Sequence, residues 1–389
     1  MRVGFQLIST TKFLINFFFF RSVDLFVLPS NKLRPKSLLL VRLDAIGDYI
    51  LFRNFIKDLR SSSKYKEFEI TFLGNIAYKS LSLELDGEYI DRFIWIDKGK
   101  FLKNLNYRLN KLKEISDVRY ETVVHPVYSR EFFTGDSIVK LINANEKIGS
   151  IGDLSNTMKW QKNISDKYYG TLIPAQDKLM FEFDRNREFF EKLLDIKIYL
   201  QKPIIHLQNT IFNFKLPKNY AIIFIGASAS FRKWNINNFV KIAEYLKESH
   251  EYNIVLCGGP ADIGEAKEFK KYYKDEYLDL VGKTSLVELL IVINSGNIMI
   301  ANETSAPHFA MALGIKNLFV IYSGNHYGRF TPYPKDVSKN YHVICHPTIE
   351  KDLDGYKKLS NSYGFRSSLN INEISVEGVK DKINEVLKC

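Results

Sequence analysis

Apolar residues in this chain fall in short unbroken runs separated by stretches of helical period, and the alternation repeats in both halves. Ser37–Leu43 (SLLLVRL) is nearly all apolar, as in a strand buried on both faces of a parallel sheet. From Gly47 to Arg60, Ile50, Leu51, Phe55 and Leu59 recur near helical spacing, which predicts one helix. Strand-like runs follow at Phe68–Leu73, Phe93–Ile96 and Thr122–His125. The second half gives strands at Ala221–Ile225, Ile254–Cys257, Ile298–Ala301 and Leu318–Tyr322. A helix over Asn235–Ser249 puts Phe239, Ile242, Ala243 and Leu246 on one face, and Ser285 with Glu288 forms a capping box that opens a helix over Leu286–Asn294. Ser305–Leu313 predicts a short helix stopped by Gly314, and Ser375–Leu387 a last one.

Alternating strands and helices imply parallel sheets covered on both faces, an α/β architecture. Two such sets, with the weakly patterned stretch Asp195–Pro217 between them, predict two domains: residues 1–200 and 201–370. Residues 371–389 are expected to form a helix that packs back on the first domain. Ligands of such folds bind at the carboxyl ends of strands, so the expectation is two Rossmann-like sheets facing a central cleft. Neither GxGxxG nor a Walker A sequence is present, which argues against a dinucleotide oxidoreductase or a P-loop NTPase.

Charge adds a second theme. The formal net charge is +11, and residues 1–60 hold ten Lys/Arg against four Asp/Glu. A basic surface attracts phosphorylated or acidic partners. Nucleic acid is not the expected one, because no aromatic-basic recognition motif accompanies the charge. The apolar stretch Phe13–Leu28 is too short to span a bilayer, is interrupted by Arg21 and Asp24, and lacks a signal-peptide cleavage pattern. Two readings stay open for residues 1–36: a helix packed on the domain, or a segment lying on a membrane surface, flanked by Lys12, Arg21, Lys32, Arg34 and Lys36. The three cysteines, Cys257, Cys345 and Cys389, show no metal-ligand spacing and fit a reducing cytoplasm.

Three strand-to-helix turns carry candidate chemistry. The first, Val41–Asp48, places Gly47 where the chain turns tightly and Asp48 at a helix start, as either a cap or a base. The second, Gly226–Trp234, combines small residues and hydroxyls, including Ser228, with Arg232 and Lys233, which suit a diphosphate. The third, Asn302–His308, sets Thr304 and Ser305 at the positive end of a helix, which favours an anion. Glu303 would repel phosphate but can accept hydrogen bonds from sugar hydroxyls, and His308 by itself reads as a structural histidine.

Taken together and in order, LLLVRLDAIGDYILFRNFIKDLR, GASASFRKWNINNFVKIAEYL with NIVLCGGPADIGEAKEF, and LVGKTSLVELLIVINSGNIMIANETSAPHFAMALG resemble the signature regions of glycosyltransferase family 9, whose best-known members are lipopolysaccharide heptosyltransferases. The resemblance implies a GT-B architecture with an acceptor-binding first domain and a nucleotide-sugar-binding second domain. It implies inversion at the anomeric carbon and neither metal nor cofactor, the nucleotide-sugar (ADP-heptose in the heptosyltransferases) being a substrate. Asp48 matches the family's base. Ser228, Arg232, Lys233, Glu303, Thr304, Ser305 and His308 fall on the donor side, and Arg42, Asp44 and Arg53 on the acceptor side. Glu303 and Ser305 stand where heptosyltransferases usually have Asp and Gly, and Phe52-Arg53-Asn54 replaces a Thr-Thr-Pro run.

The expected activity is therefore transfer of a heptose or related sugar to a lipopolysaccharide-like, lipid-linked glycan. The expected location is the cytoplasm, peripheral on the inner face of the membrane. Two other classes stay open: a sugar-nucleotide epimerase on a similar fold, which would need no acceptor, and a non-catalytic nucleotide-sugar-binding protein.

Overall fold

The computed structural model describes residues 2–207, 212, 214–363 and 367–387, with side chains omitted at 2–10, 12 and 359–363. It divides into two compact units. The first holds the chain up to Ala45, Phe55–Asp177 and Arg185–Ile198; the second holds Ile46–Asn54, Lys178–Asp184 and the chain from Tyr199 on. The main crossing, between Ile198 and Tyr199, lies in the weakly patterned stretch, of which residues 208–211 and 213 are outside the described residues.

The first unit carries a parallel sheet of β1 (Ser37–Arg42), β2 (Glu69–Asn75), β3 (Arg92–Ile96), β4 (Tyr120–His125), β5 (Ala144–Ser150) and β6 (Thr171–Ile173), ordered β3-β2-β1-β4-β5-β6. The second carries β7 (Tyr220–Phe224), β8 (Asn253–Cys257), β9 (Leu278–Asp279), β10 (Ile298–Asn302), β11 (Asn317–Tyr322) and β12 (Tyr341–Cys345), ordered β12-β11-β10-β7-β8-β9. Counted from each unit's own first strand, both orders are 3-2-1-4-5-6, the doubly wound Rossmann arrangement. Its topological switch lies between β1 and β4 in one unit and between β7 and β10 in the other. The loops that follow those strands are where such a sheet takes its ligand.

All eight strands expected from the apolar runs are present. Four others are β5, β6, β9 and β12; β5 is polar over half its length and β6 and β9 are two or three residues long. The predicted helix after Gly47 is broken. Ile46–Ile50 is one short helix and Asn54–Ser61 another, with a turn at residues 51–53. Burial explains the break, because Leu51 and Phe52 are fully enclosed in the turn while Arg53 and Asn54 bond to Ile204. A straight helix could not direct all four inward.

The N-terminal helix, Arg2–Asp24, docks on the first unit by one face. Phe13 and Phe20 are buried, and Phe13 packs against Phe132, Phe133 and Trp160. Its end is held by a buried two-point ion pair, Arg108 Nε and Nη2 donating to Asp24 at 3.0 and 3.3 Å, with the guanidinium over the Phe20 and Phe101 rings. Burying both charges is tolerable because they satisfy each other. The opposite face leaves Leu14, Ile15, Phe18 and Phe19 in solvent, and Leu25, Phe26 and Leu28 continue it. Among the described residues no helix is long and apolar enough to cross a membrane.

The C-terminal helix, Val376–Leu387, was expected on the first domain. Instead Val376, Val379 and Ile383 are buried in the second unit's own core with Phe239, Ala243 and Leu246. Its apolar stripe matches the outer face of the helix Ile236–His250, which would otherwise lie open to water.

Candidate active site

The second unit's switch point is built by three segments. β7 runs into the loop Gly226–Lys233, β10 into the turn Glu303–Thr304, and the short helix Ile46–Ile50 lies against the helix Ser305–Leu313. Asn302, fully buried at the end of β10, clasps the loop from both sides. Its Nδ2 donates to Ile225 O at 2.8 Å, and its Oδ1 accepts from Trp234 N at 3.1 Å. The Trp234 indole N–H donates to Ile374 O. Arg232, two residues before Trp234, is thereby placed on a loop whose exit is fixed.

Arg232 Nε stands 3.9 Å from Glu303 Oε2, an ion pair too long for a hydrogen bond. Among the described residues, neither atom has a hydrogen-bond partner. Burial pushes the Glu303 carboxyl up to about 7, against the opposing pull of Arg232. Burial, aided by the Arg232 charge, pushes His308 down to about 4, so its imidazole is neutral near pH 7. His308 Nδ1 lies 2.9 Å from the Tyr333 hydroxyl.

Thr304 is the N-cap residue of Ser305–Leu313, but its hydroxyl makes no capping bond. Thr304 and Ser305 are both partly exposed. The first backbone N–H groups of the helix have no intrahelical acceptor, which suits them to an anion. Ser228 is exposed on the β7 loop.

Lys233 faces elsewhere: its ammonium pairs with Asp262 Oδ1 at 3.0 Å and with Glu265. Asp262 in turn accepts from Gly259 N, so Lys233 fastens the β7 loop to the Gly258-Gly259-Pro260 turn.

Asp48 sits partly buried in the first turn of Ile46–Ile50, in the same unit as Arg232 and Glu303. Gly47 is what allows that helix to approach: a β-carbon there would stand 3.0 Å from His308 Cδ2 and 3.5 Å from its Nε2. Arg42, fully buried at the end of β1, pairs through Nε with Asp44 at 2.9 Å and donates to Asn186 at 3.0 Å. Asp44 is the more exposed member of that pair. Arg53 donates to Ile204 O at 2.7 Å. The structure thus gathers Arg232, Glu303, Thr304, Ser305 and His308 with the Gly47–Asp48 turn, and places Lys233 and Arg42 in ion pairs of their own.

Several polar residues escaped sequence reasoning. Asn302 and Tyr333 position the site through tertiary contacts that no local pattern announces. At the end of β4, His125 Nδ1 lies 2.7 Å from the Tyr169 hydroxyl, which donates to Asp136 at 2.6 Å, and Arg130 joins Asp136 and Asp166. Gly135, in a widened helical turn, is the only residue type that fits against the His125 ring. That buried network ties the first unit's switch point together. Among the described residues, no three His, Cys, Asp or Glu side chains converge as a metal site.

No curated protein matches the sequence. Solved structures do match in fold. A family 9 glycosyl transferase from Veillonella parvula superposes with a TM-score of 0.67 at 18% identity, covering 91% of this chain and 97% of that one. The E. coli heptosyltransferase WaaC, solved with ADP-2-deoxy-2-fluoro heptose, gives 0.64 at 17% identity, covering 90% and 99%. The E. coli ADP-heptose lps heptosyltransferase II gives 0.64 at 15%, covering 90% and 98%. These likenesses show a GT-B fold of two Rossmann-like halves. The model of the family described as glycosyltransferase family 9 (heptosyltransferase) matches residues 155–357, just over half of the 389. Those residues include the clasped β7 loop and the β10 turn, and the chain belongs to glycosyltransferase family 9.

Proposed function

We propose that the enzyme moves a heptose or related sugar, with inversion and without a metal, from a nucleoside diphosphate to a hydroxyl of a lipid-linked surface glycan. The carrying observation is the packing of the Gly47–Asp48 turn on His308, at the head of the helix Ser305–Leu313 and in one unit with Arg232 and Glu303. A carboxylate near a phosphate-gripping helix end is what a direct displacement needs. Asp48 takes the proton of the acceptor hydroxyl as its oxygen forms a bond to the anomeric carbon. The bond from that carbon to the diphosphate breaks on the opposite face. The departing charge is met by Arg232 and by the N–H groups and hydroxyls at Thr304 and Ser305, with Ser228 alongside. A nucleoside diphosphate so stabilised needs no proton, so one carboxylate suffices, unlike the pair used in glycoside hydrolysis.

In this reading the second domain binds the donor and the first binds the acceptor, Asp44 being its polar contact and Arg42 the group that orients it. The outward apolar side chains Leu14, Ile15, Phe18 and Phe19, with Arg21 beside them, support a peripheral position on an anionic membrane. That position would be the inner face of the cytoplasmic membrane, where lipid-linked acceptors are at hand.

The deciding experiment is a thermal-shift screen with ADP-heptose and UDP- and GDP-hexoses, followed by transfer assays on the donor that stabilises the chain. Asp48→Asn should lower transfer by roughly a hundredfold or more with donor affinity nearly intact. Retained turnover removes Asp48 from the base role. Conversion of the donor with no acceptor present would favour an epimerase.

A further inference from the structure

β10 and β11 are parallel neighbours with Asn302 opposite Ile321, so Glu303 and Tyr322 each follow one member of that pair at the carboxyl ends of adjacent strands. β11 then runs into Ser323-Gly324-Asn325. This loop is held by its carbonyls. Ser367 Oγ donates to Ser323 O, the Tyr356 hydroxyl to Gly324 O, and the Tyr322 hydroxyl to Asn325 O at 2.9 Å. Its side chains are another matter. Ser323 is 0% and Asn325 2% exposed, yet among the described residues Ser323 Oγ and both Asn325 Oδ1 and Nδ2 have no hydrogen-bond partner. Glu303 Oε2 and Arg232 Nε share that condition.

An enclosed polar atom left without a partner costs about 1–3 kcal/mol, and folded proteins hold few of them. Here such atoms sit in the loops that follow three neighbouring strands, β7, β10 and β11, at and beside the switch point, where a ligand would satisfy them. The same tyrosines that hold the loop feel the Glu303 charge. Burial chiefly, and then the Glu303 carboxylate, raises the Tyr322 hydroxyl, and Glu303 also acts on Tyr356. The loop and the carboxylate share one neighbourhood because they follow paired positions of adjacent strands.

We propose that Ser323 and Asn325 complete, with Glu303, a subsite for the hydroxyls of the transferred sugar; this rests on the donor reading above. The chemistry selects a polyol. A carboxylate repels the diphosphate but accepts from hydroxyls. An amide offers one acceptor and two donors, and a serine hydroxyl offers both roles, matching neighbouring sugar hydroxyls that each donate and accept. A site built on such bonds discriminates strongly against a sugar that lacks one of them. Ser323 and Asn325 then set which sugar is accepted, while Arg232 and the helix end hold what every donor shares.

The test is calorimetric titration of the full chain with ADP, UDP and GDP and with ADP-heptose, UDP-hexoses and GDP-hexoses, using the pair that the wild type binds. Asn325→Ala and Ser323→Ala should weaken the sugar conjugate by about tenfold or more. Affinity for the free nucleoside diphosphate should stay within about twofold. Asn325→Asp, of the same shape, serves should the alanine variant not fold, and should also lose the conjugate selectively. Equal losses for conjugate and diphosphate would overturn the subsite, as would no loss in either. Failure of the wild type to bind any nucleotide or nucleotide-sugar would instead bring down the donor reading, and the subsite with it.

Discussion

Gly47 faces the His308 imidazole so closely that a β-carbon on it would stand 3.0 Å from the ring's Cδ2. His308 is 6% exposed and its other nitrogen lies against the Tyr333 hydroxyl. Helix propensity alone predicts that Gly47→Ala would stabilise the chain by about 0.5–1 kcal/mol. The contact predicts the reverse, a loss of about 1–2 kcal/mol from overpacking. The penalty should shrink in a His308→Ala background, giving a coupling of at least about 0.5 kcal/mol in a double-mutant cycle by urea denaturation. Stabilisation by Gly47→Ala would mean that the two elements do not meet this way in solution.

Burial acts on Glu303 and His308 in opposite senses, and stability should show both. Folding raises the Glu303 carboxyl from its usual 4.5 to about 7, so stability is lost as pH rises through that window. Folding lowers His308 from 6.5 to about 4, so stability is lost as pH falls from 6.5 toward 4. Each effect is on the order of 3 kcal/mol at full extent, and between pH 4.5 and 6.5 they largely cancel. Glu303→Gln removes one of them. The melting temperature of this variant relative to wild type, measured without ligand, should climb steadily from pH 4.5 to 7.5. A difference that does not vary with pH would contradict a buried, proton-holding Glu303.

Adjacent basic residues should separate in function. Arg232→Met should weaken binding of the free nucleoside diphosphate by about tenfold or more, because its guanidinium stands on the β7 loop near Glu303 with an Nε that has no hydrogen-bond partner among the described residues. Lys233→Met should change that affinity by less than about threefold, but lower stability by about 1 kcal/mol through loss of its Asp262 and Glu265 contacts. Titration with ADP and UDP, beside thermal melts, distinguishes the two. Equal affinity losses would place Lys233 on the diphosphate as well.

The N-terminal helix calls for a test on its outward face alone. Deleting residues 1–30 would also remove Phe13, Phe20 and the Asp24–Arg108 pair, and so unsettle the unit beneath. Phe18→Ser with Phe19→Ser keeps Phe13, Phe20 and the Asp24–Arg108 pair in place and removes only the edge contacts of Phe18 with Phe17 and of Phe19 with Phe20. The double variant should keep its melting temperature and bind vesicles containing anionic phospholipid at least about tenfold less well, given about 1.5–3 kcal/mol per buried aromatic side chain. Unchanged partitioning would remove the membrane from the account.

The central strands were legible because strands covered on both faces must be apolar throughout; Leu38–Val41 and Ile298–Ala301 are fully buried. Edge strands such as Leu278–Asp279 carry no such demand and left no pattern. The break at residues 51–53 was hidden because Leu51 and Phe52 also suit a helical stripe. Only Asn54 bonding to Ile204 on both its N and O, 150 residues away, shows why the helix stops. The turns bearing Asp48, Arg232 and Glu303 could be read from small residues placed after strands. Ser323 and Asn325 could not, since an ordinary polar loop has the same composition, and what distinguishes this one is enclosure.

The nine residues Ile46–Asn54 group with the second unit, although the chain on either side of them belongs to the first. Splitting the gene between Ile198 and Tyr199 would therefore not yield two self-sufficient halves. The carboxyl-terminal fragment would lack the helix Ile46–Ile50 and the turn after it, which carry the fully buried Tyr49, Ile50, Leu51 and Phe52, and would present bare hydrocarbon where they belong. Such a fragment should aggregate when produced alone and be rescued by co-expression with its missing portion, and any recombination of donor specificities between relatives would have to carry this borrowed segment along.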